Sequence, residues 1–180
     1  IEYNIVKTPM GHLLVACTDS GVCSVKLGDD PHKLERELKY EFAAAKLYKG
    51  TEKVGTVITQ LVDYLAGKLP WPELPYDVRA TAFQRRVWDF LRRIPPGKRV
   101  HYGEVADALG APTAARAVGR ACASNPVALV IPCHRVVAKD GALTGYRWGI
   151  ERKRDLLEME QQACDEVDGA SRVRPRDREW

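Results

Sequence analysis

The sequence has no long hydrophobic run, no CxxC motif and no internal repeat. Its longest apolar stretches, such as residues 127–131, fall far short of the roughly 20 residues of a membrane-spanning helix, so we expect neither a span nor a signal peptide. The five cysteines are odd in number and irregularly spaced, which argues against a disulfide framework. We therefore expect a reducing, intracellular location, in the cytoplasm and nucleoid or in the nucleus depending on the source. The first residue is Ile1 rather than methionine, which is compatible with a fragment of a longer protein.

The 180 residues carry a net charge of +4 that is unevenly distributed. Residues 79–150 hold 12 Lys/Arg against 4 Asp/Glu, a net charge of +8, whereas residues 1–78 and 151–180 each have a net charge of −2. A basic segment of this kind favours an anionic partner, and nucleic acid is the first candidate because Lys and Arg neutralise backbone phosphates. A solvated basic face without a partner is the alternative that charge counting leaves open.

Residues 1–78 are predicted to form a small α/β domain with an antiparallel sheet and helices. Alternating apolar residues separated by turns predict strands over residues 2–7, 12–18 and 22–27. An Asp-Pro pair at residues 30–31 is typical of a helix start, and a second amphipathic helix ends near Gly67. The two helices are predicted from the helical spacing of their apolar residues, which are Leu34, Leu38, Phe42, Ile58, Leu61 and Leu65.

A proline-rich stretch, residues 68–77, separates this part from residues 79–163, which are predicted to form a mainly helical, winged helix-turn-helix-like domain. Thr81 and Gln84 fit a capping box at the start of its first helix. The further predicted elements are helices over residues 103–109, 113–124 and 151–162, a strand over residues 127–131 and a flexible tail over residues 164–180. The first two of these helices are joined by a tight turn, the outline of a helix-turn-helix.

Cys133 is the cysteine whose surroundings favour chemistry. Most free cysteines are buried as small hydrophobic residues, and that interpretation suits Cys17, Cys23 and Cys122, whereas Cys164 falls in the predicted tail. Cys133 follows Pro132, which ends regular pairing and places the thiol at an irregular turn beside the side chains of His134 and Arg135. Because neighbouring side chains of an extended segment point in opposite directions, we expect His134 to reach the thiol only through a bridging water or a bent backbone.

The predicted helix over residues 113–124 combines small residues with two arginines. Arg116 and Arg120 lie four residues apart and hence on one face, while small residues such as Ala115 and Ala117 allow a partner to approach closely. This pattern favours a helix laid against a phosphate backbone or into a groove. A tightly packed core helix with two surface arginines is the alternative.

Together these motifs resemble the DNA alkyltransferases that repair 6-O-methylguanine. The resemblance rests on Pro-Cys-His-Arg-Val at residues 132–136, the helix pair around Tyr102 and Arg116, the pair Asn125-Pro126, and Gly-Tyr-Arg-Trp-Gly at residues 145–149. It extends from about residue 81 to residue 160, whereas the amino-terminal part resembles the family's variable companion domain more loosely. The segment at residues 145–149 makes the chain most similar to the carboxy-terminal domain of Ada-type methylation-response proteins.

The resemblance implies that Cys133 takes the alkyl group from 6-O-alkylguanine in DNA, with 4-O-alkylthymine as a second candidate substrate. The thioether product has no easy reverse step, so one protein molecule would repair one lesion, without a cofactor. His134 would accept the thiol proton through a water, and Glu160 would orient and stabilise the imidazole. Tyr102 would form a hydrogen bond to the guanine as negative charge leaves on the purine. The alternative interpretations are an exposed carboxylate for Glu160 and an interface tyrosine for Tyr102.

The resemblance also implies a monomer that binds the minor groove of double-stranded DNA and extrudes the damaged base into a pocket. Arg116 would fill the space that the base leaves. Asn125 would act as a hinge whose amide ties the helix to the cysteine loop. The implied DNA-binding residues are Arg116, Ala115, Ala117, Arg120 and Arg135, the last with a structural role as its alternative. The implied alkylguanine pocket consists of Tyr102, Val136, Tyr146 and Arg147. Backbone groups near Cys133 and Val136 would read the guanine edges, with Tyr146 as a wall.

The chain departs from the family pattern in two places. Some members have a small hydroxyl residue where this chain has Arg147, so we do not expect that side chain to donate to the alkylated oxygen, although its backbone N–H can. Some members bind zinc in the amino-terminal domain. The only nearby candidates here are His12, Cys17, Cys23 and His32. Their spacing matches no recognisable zinc pattern, so no metal is expected.

Two other classes of function stay open at this point. A DNA-binding module, either a transcription factor or an alkylated-DNA sensor, would bind without transferring an alkyl group. Such sensors lack the cysteine nucleophile, so the presence of Cys133 distinguishes an alkyltransferase from a sensor. A thiol hydrolase using Cys133 and His134 would release product repeatedly without alkylating its own cysteine, and the helix pair would then have no role.

Overall fold

Three consecutive strands form the antiparallel sheet that the sequence predicts. Strands β1 (Glu2–Thr8), β2 (Gly11–Cys17) and β3 (Val22–Gly28) pair in chain order, and the short β4 (Tyr48–Lys49) pairs in parallel with β1. The sheet order is therefore β3-β2-β1-β4. The structure is a computed structural model that describes residues 1–68 and 70–172, with the side chains of residues 170–172 left out.

Two helices cover opposite faces of this sheet. Helix α1 (Pro31–Glu41) begins after Asp30, whose carboxylate accepts a hydrogen bond from a backbone N–H at 2.9 Å, as the Asp-Pro pair predicts. Helix α2 (Lys53–Leu65) packs on β1 and β2. Because side chains alternate along a strand, Leu14 of β2 packs with α1 while its neighbour Leu13 packs with α2.

The rest of the chain is mainly helical, so the predicted fold class is confirmed. Helix α3 (Ala82–Leu91) has the predicted capping box, with both reciprocal hydrogen bonds between Thr81 and Gln84 formed. Helices α4 (Tyr102–Ala108) and α5 (Ala115–Ala123) pack together as the helix-turn-helix pair. A parallel pair of two-residue strands, β5 (Val100–His101) and β6 (Val136–Val137), flanks them.

The predicted strand over residues 127–131 is wrong. The segment turns at Leu129, whose φ is 69°, and the Val130 N–H donates to the Ala128 carbonyl at 2.8 Å. Val127 forms a single parallel bridge with Val25 of β3, but the segment does not continue as a strand, and its residues are apolar because the turn is enclosed in the core. A short apolar run does not distinguish these two situations.

The predicted tail begins too early. Helix α6 (Ile150–Arg172) continues through residues 164–172, beyond the predicted end at residue 162. Ala163 is buried and Cys164 donates a hydrogen bond to the Pro96 carbonyl at 3.2 Å, so the helix keeps contacts with the core past that point. Residues 173–180 of the predicted tail lie outside the described residues.

One hydrophobic core extends across both parts of the chain. It contains Val15 and Leu61 from the amino-terminal part as well as Val87, Leu91 and Leu156 from the helical part. The division near residue 78 stays a prediction, and the two parts are packed on each other rather than separated. No helix within the described residues is both long and apolar enough to span a membrane.

Candidate functional site

Cys133 lines a cavity of about 350 Å³. It begins a 3-10 turn, Cys133–Arg135, directly after Pro132, and its side chain is 5% exposed. The cavity is lined by Tyr102, Gly119, Cys122, Ala123, Cys133, Thr144, Gly145, Tyr146 and Arg147. The structure therefore brings together the predicted nucleophile and three of the four predicted pocket residues.

The fourth predicted pocket residue, Val136, is not among the residues that line the cavity. It is fully buried in β6, where it pairs with Val100. Its side chain is therefore used in the core, and a contact of its backbone with the guanine stays a prediction. Arg147 does line it, and its Nη1 donates to the Asn125 carbonyl at 3.2 Å.

Asn125 joins the end of α5 to the cysteine turn. Its Nδ2 donates to the Ile131 carbonyl at 2.9 Å and contacts the Cys133 sulfur at 3.2 Å. Its Oδ1 accepts from the Val127 N–H at 2.9 Å. Because the Asn125 side chain is fully buried, these contacts fix the sulfur relative to α5, and the predicted tie through the amide is present.

The Cys133 thiol is neutral at rest. Burial raises its pKa well above the ordinary value, and a hydrogen bond with the Cys122 thiol raises it further. The Asn125 amide and the Lys153 ammonium act in the opposite direction and favour the thiolate. A thiol in such a place needs a base that accepts its proton when the sulfur reacts.

Glu160 anchors a buried network next to this thiol. One of its oxygens, Oε1, accepts from His134 Nε2 and from the Tyr64 hydroxyl, and both oxygens bind Arg135 at 2.9 Å. Burial alone would raise the pKa of Glu160, but the His134 imidazole and the Arg135 guanidinium hold it well below its usual range. The buried side chain is therefore a carboxylate, not the exposed group of the alternative interpretation.

His134 is placed to act as a base. Burial lowers its pKa below the ordinary value, so the imidazole is neutral near pH 7. The hydrogen bond to Glu160 assigns the proton to Nε2 and leaves a lone pair on Nδ1. Within residues 1–68 and 70–172, this buried Nδ1 has no hydrogen-bond partner.

Arg135 does not lie on the surface, so the prediction that it binds DNA is wrong. Its side chain is 1% exposed, and its guanidinium binds Glu160 and the Ile94 carbonyl. The guanidinium also lies 4.4 Å from the centre of the Trp71 ring. A buried carboxylate requires such a partner, which agrees with the structural alternative for Arg135.

Helix α5 presents its two arginines to solvent. Arg116 and Arg120 are exposed, Ala115 and Ala117 are half-buried, and Val118 faces the core. Both the groove-binding interpretation and a packed helix with surface arginines agree with this arrangement. The role of α5 in DNA binding stays a prediction.

The cavity also holds hydroxyl groups that a ligand would meet. The Thr144 hydroxyl donates to the Tyr102 hydroxyl at 3.2 Å. The Tyr146 hydroxyl is buried and has no hydrogen-bond partner in the described part of the chain. Burial raises the pKa of both tyrosines, so each keeps its proton for donation.

Sequence reasoning missed several residues of this site, namely Tyr64, Trp71, Cys122, Thr144 and Lys153. One signal was available for Lys153: it lies seven residues before Glu160 on the face of α6 that also buries Leu156 and Leu157. Charged residues at positions that should be apolar indicate a buried polar network. Among residues 1–68 and 70–172, no group of three or more His, Cys, Asp or Glu side chains could hold a metal ion.

The chain matches two sequence profiles of one family. Residues 82–162 match the 6-O-methylguanine DNA methyltransferase DNA binding domain, and residues 1–77 match the ribonuclease-like domain of the same family. The chain is similar to the Escherichia coli bifunctional transcriptional activator/DNA repair enzyme Ada, with 42% identity over 89% of this chain and 45% of that protein. It therefore spans less than half the length of that relative.

Shorter relatives match along almost their whole length. A methylated-DNA--protein-cysteine methyltransferase of Mycolicibacterium paratuberculosis is 41% identical over 89% of this chain and 93% of that protein. The crystal structure of Mycobacterium tuberculosis OGT in complex with DNA is similar, with a TM-score of 0.77 and 37% identity over 91% of this chain and 94% of that chain. With both of its parts matched and its site assembled, the chain belongs to the 6-O-methylguanine DNA methyltransferase family.

Proposed function

We propose that this chain repairs DNA by direct reversal, transferring an alkyl group from 6-O-alkylguanine to Cys133 in a single turnover. The observation that carries the proposal is the cavity-lining Cys133 thiol, held by Asn125 and next to a neutral His134 that is paired with charged Glu160. The methyltransferase names of its relatives and the DNA in the M. tuberculosis OGT crystal structure support it. A DNA-containing compartment of the cell is the location that such a reaction needs.

The residues would divide the reaction between them. His134 Nδ1 takes the thiol proton through one bridging water, and Glu160 stabilises the imidazolium that results. The sulfur forms a bond to the alkyl carbon while the bond from that carbon to the guanine oxygen breaks, and its electron pair stays on the purine. Tyr102 donates a hydrogen bond to the purine as this charge develops.

Substrate access is proposed to depend on base extrusion. The alkylated atom lies inside a duplex, so the base must leave the stack before Cys133 can reach it. The cavity of about 350 Å³ would then receive that base, with side chains of several segments around it. The exposed Arg116 on α5 would occupy the vacated space, with Arg120 against the phosphate backbone. We propose that one monomer binds the minor groove in this way.

Incubation with duplex DNA that carries a radiolabelled 6-O-methylguanine tests the proposal. The expected result is one label per protein molecule, no label on Cys133→Ala, and unchanged stoichiometry for Cys23→Ala, which removes a buried thiol outside the site. DNA binding without label transfer would identify a sensor. Repeated release of product without a labelled protein would identify a hydrolase.

A further inference from the structure

A side chain from the amino-terminal part of the chain reaches into the Glu160 network. Tyr64 lies near the end of α2, is 1% exposed, and donates its hydroxyl proton to Glu160 Oε1, the oxygen that also binds His134. Tyr64 and Glu160 are 96 residues apart in the sequence, on opposite sides of the predicted domain boundary. The carboxylate that holds the histidine is therefore bound by both parts of the chain.

Tyr64 keeps its proton under all ordinary conditions. Burial raises its pKa above the usual value, and the neighbouring negative charge of Glu160 raises it further. The hydroxyl is consequently a permanent hydrogen-bond donor, and the carboxylate is its acceptor.

Trp71 fixes the position of this phenol. Its ring meets the Tyr64 ring edge-on at a centroid distance of 4.0 Å, and it lies 4.4 Å from the Arg135 guanidinium. It also lies 6.1 Å from the His134 ring. One aromatic side chain thus contacts two of the groups that bind Glu160, which restricts the rotamers of both.

We propose that Tyr64 is a positioning residue of the alkyl-transfer site, because its hydrogen bond fixes the carboxylate that holds His134. The inference deepens the proposed function and rests on it. It also gives the amino-terminal part an indirect role in the reaction, through Tyr64 and Trp71 acting on Glu160, in addition to its structural role.

The effect of removing the hydroxyl has a defined direction. Without the Tyr64 donor, Glu160 shares more of its negative charge with His134, which favours the protonated imidazole and raises the pKa of His134. The charged and titratable groups around His134 are Glu160 and Lys153 from α6, Cys133 and Arg135 from its own turn, and Tyr146 from the segment before α6, while Tyr64 from α2 acts through Glu160. The substitution Tyr64→Phe removes one hydroxyl and leaves the other groups in place.

The test compares Tyr64→Phe with Tyr3→Phe. Tyr3 is also buried and also donates to a glutamate, Glu35 at 3.0 Å, but it lies in the separate cluster under α1. Both variants keep the ring and lose one hydroxyl. The imidazole of His134 is titrated by NMR in the resting protein and assigned from the signal lost in His134→Gln, and the rate of methyl transfer is measured against pH.

We expect the pKa of His134 to rise in Tyr64→Phe and to stay unchanged in Tyr3→Phe. The acid limb of the rate profile should move to higher pH in Tyr64→Phe. Above that limb the rate should be about tenfold lower, because the carboxylate no longer fixes the position of His134, and the stoichiometry should stay at one. An unmoved His134 titration in folded Tyr64→Phe, or a rate loss equal to that of Tyr3→Phe with no shift of the acid limb, would overturn the inference. If the wild-type chain transfers no methyl group, the proposed function fails, and the NMR titration still decides whether Tyr64 acts on His134.

Discussion

The molecule contains two tyrosine–glutamate pairs built from similar parts in different places. In the amino-terminal part, Tyr3 donates to Glu35, which also binds Lys39 at 2.7 Å and Lys49 at 3.4 Å. In the cysteine site, Tyr64 donates to Glu160, which also binds His134 and Arg135. Glu35 is 19% exposed at the surface, whereas Glu160 is fully buried.

The difference in burial decides what each pair can do. At the surface, water and salt screen the charge of Glu35, and its lysine partners have exposed side chains. In the interior, the charge of Glu160 is balanced by a planar guanidinium, and its partners are held by packing. Similar groups therefore form an ordinary surface ion pair in one region and a rigid support for a base in the other.

Replacing the two glutamates separately should give the largest difference in the free energy of unfolding. Glu160→Gln removes the charge that balances Arg135, so we expect a loss of about 3–5 kcal/mol in the free energy of unfolding. Glu35→Gln should cost under about 1 kcal/mol. Urea denaturation of both variants measures these values. Equal losses would contradict the distinction between the two pairs.

The same pair of variants separates the two regions by activity. Glu160→Gln should lower the rate of methyl transfer at least about 100-fold, because His134 loses the carboxylate that stabilises its protonated form. Glu35→Gln should transfer at the wild-type rate. Single-turnover measurements on the folded fraction of each variant make the comparison independent of stability.

Replacing one asparagine in each region should give a smaller difference in stability and in transfer rate. Asn125 is fully buried and binds the Ile131 carbonyl, the Val127 N–H and the Cys133 sulfur, so Asn125→Ala should cost about 2 kcal/mol and slow the transfer. Asn4 is only partly buried, and its Nδ2 binds the Gly50 carbonyl at 3.2 Å. Asn4→Ala should cost less than Asn125→Ala and leave the transfer rate unchanged, as measured by urea denaturation and single-turnover kinetics.

The smallest expected effect is a dependence of stability on pH. The unfolded chain protonates an imidazole near its ordinary pKa of 6.5, while burial keeps His134 neutral to lower pH in the folded protein. The unfolded state then binds more protons, so the free energy of unfolding falls as the pH drops from about 7 to about 5. His134→Gln should flatten this slope, and His32→Gln, an exposed residue of α1, should not. Parallel slopes in all three proteins would contradict the assigned environment of His134.

Local patterns predicted the parts of the fold that depend on neighbouring residues. The capping box at Thr81 and the helix start at Asp30 were recognisable because such motifs are complete within four residues. The turn at Leu129 was not recognisable, because an apolar run is compatible with a strand and with a buried turn alike. The end of α6 was missed because its later contacts, such as that of Cys164 with Pro96, are made with distant residues.

The site was predictable only as far as motifs and the family resemblance reached. They indicated Cys133, His134 and Glu160, and the structure places all three in or beside one cavity. They left Arg135 with either a structural role or a DNA contact, because nothing local showed that its charge is used inside the protein. The contribution of Tyr64 could not be seen from the sequence, because its hydrogen bond joins residues 96 positions apart.

The most direct test of the account is to locate the transferred methyl group among the cysteines. The protein is incubated with excess methylated duplex DNA, digested with a protease, and its peptides are sequenced by mass spectrometry. The account predicts one methyl group on Cys133 and none on Cys17, Cys23, Cys122 or Cys164. A methyl group on Cys122, which lines the same cavity, or an unmodified Cys133 would contradict it.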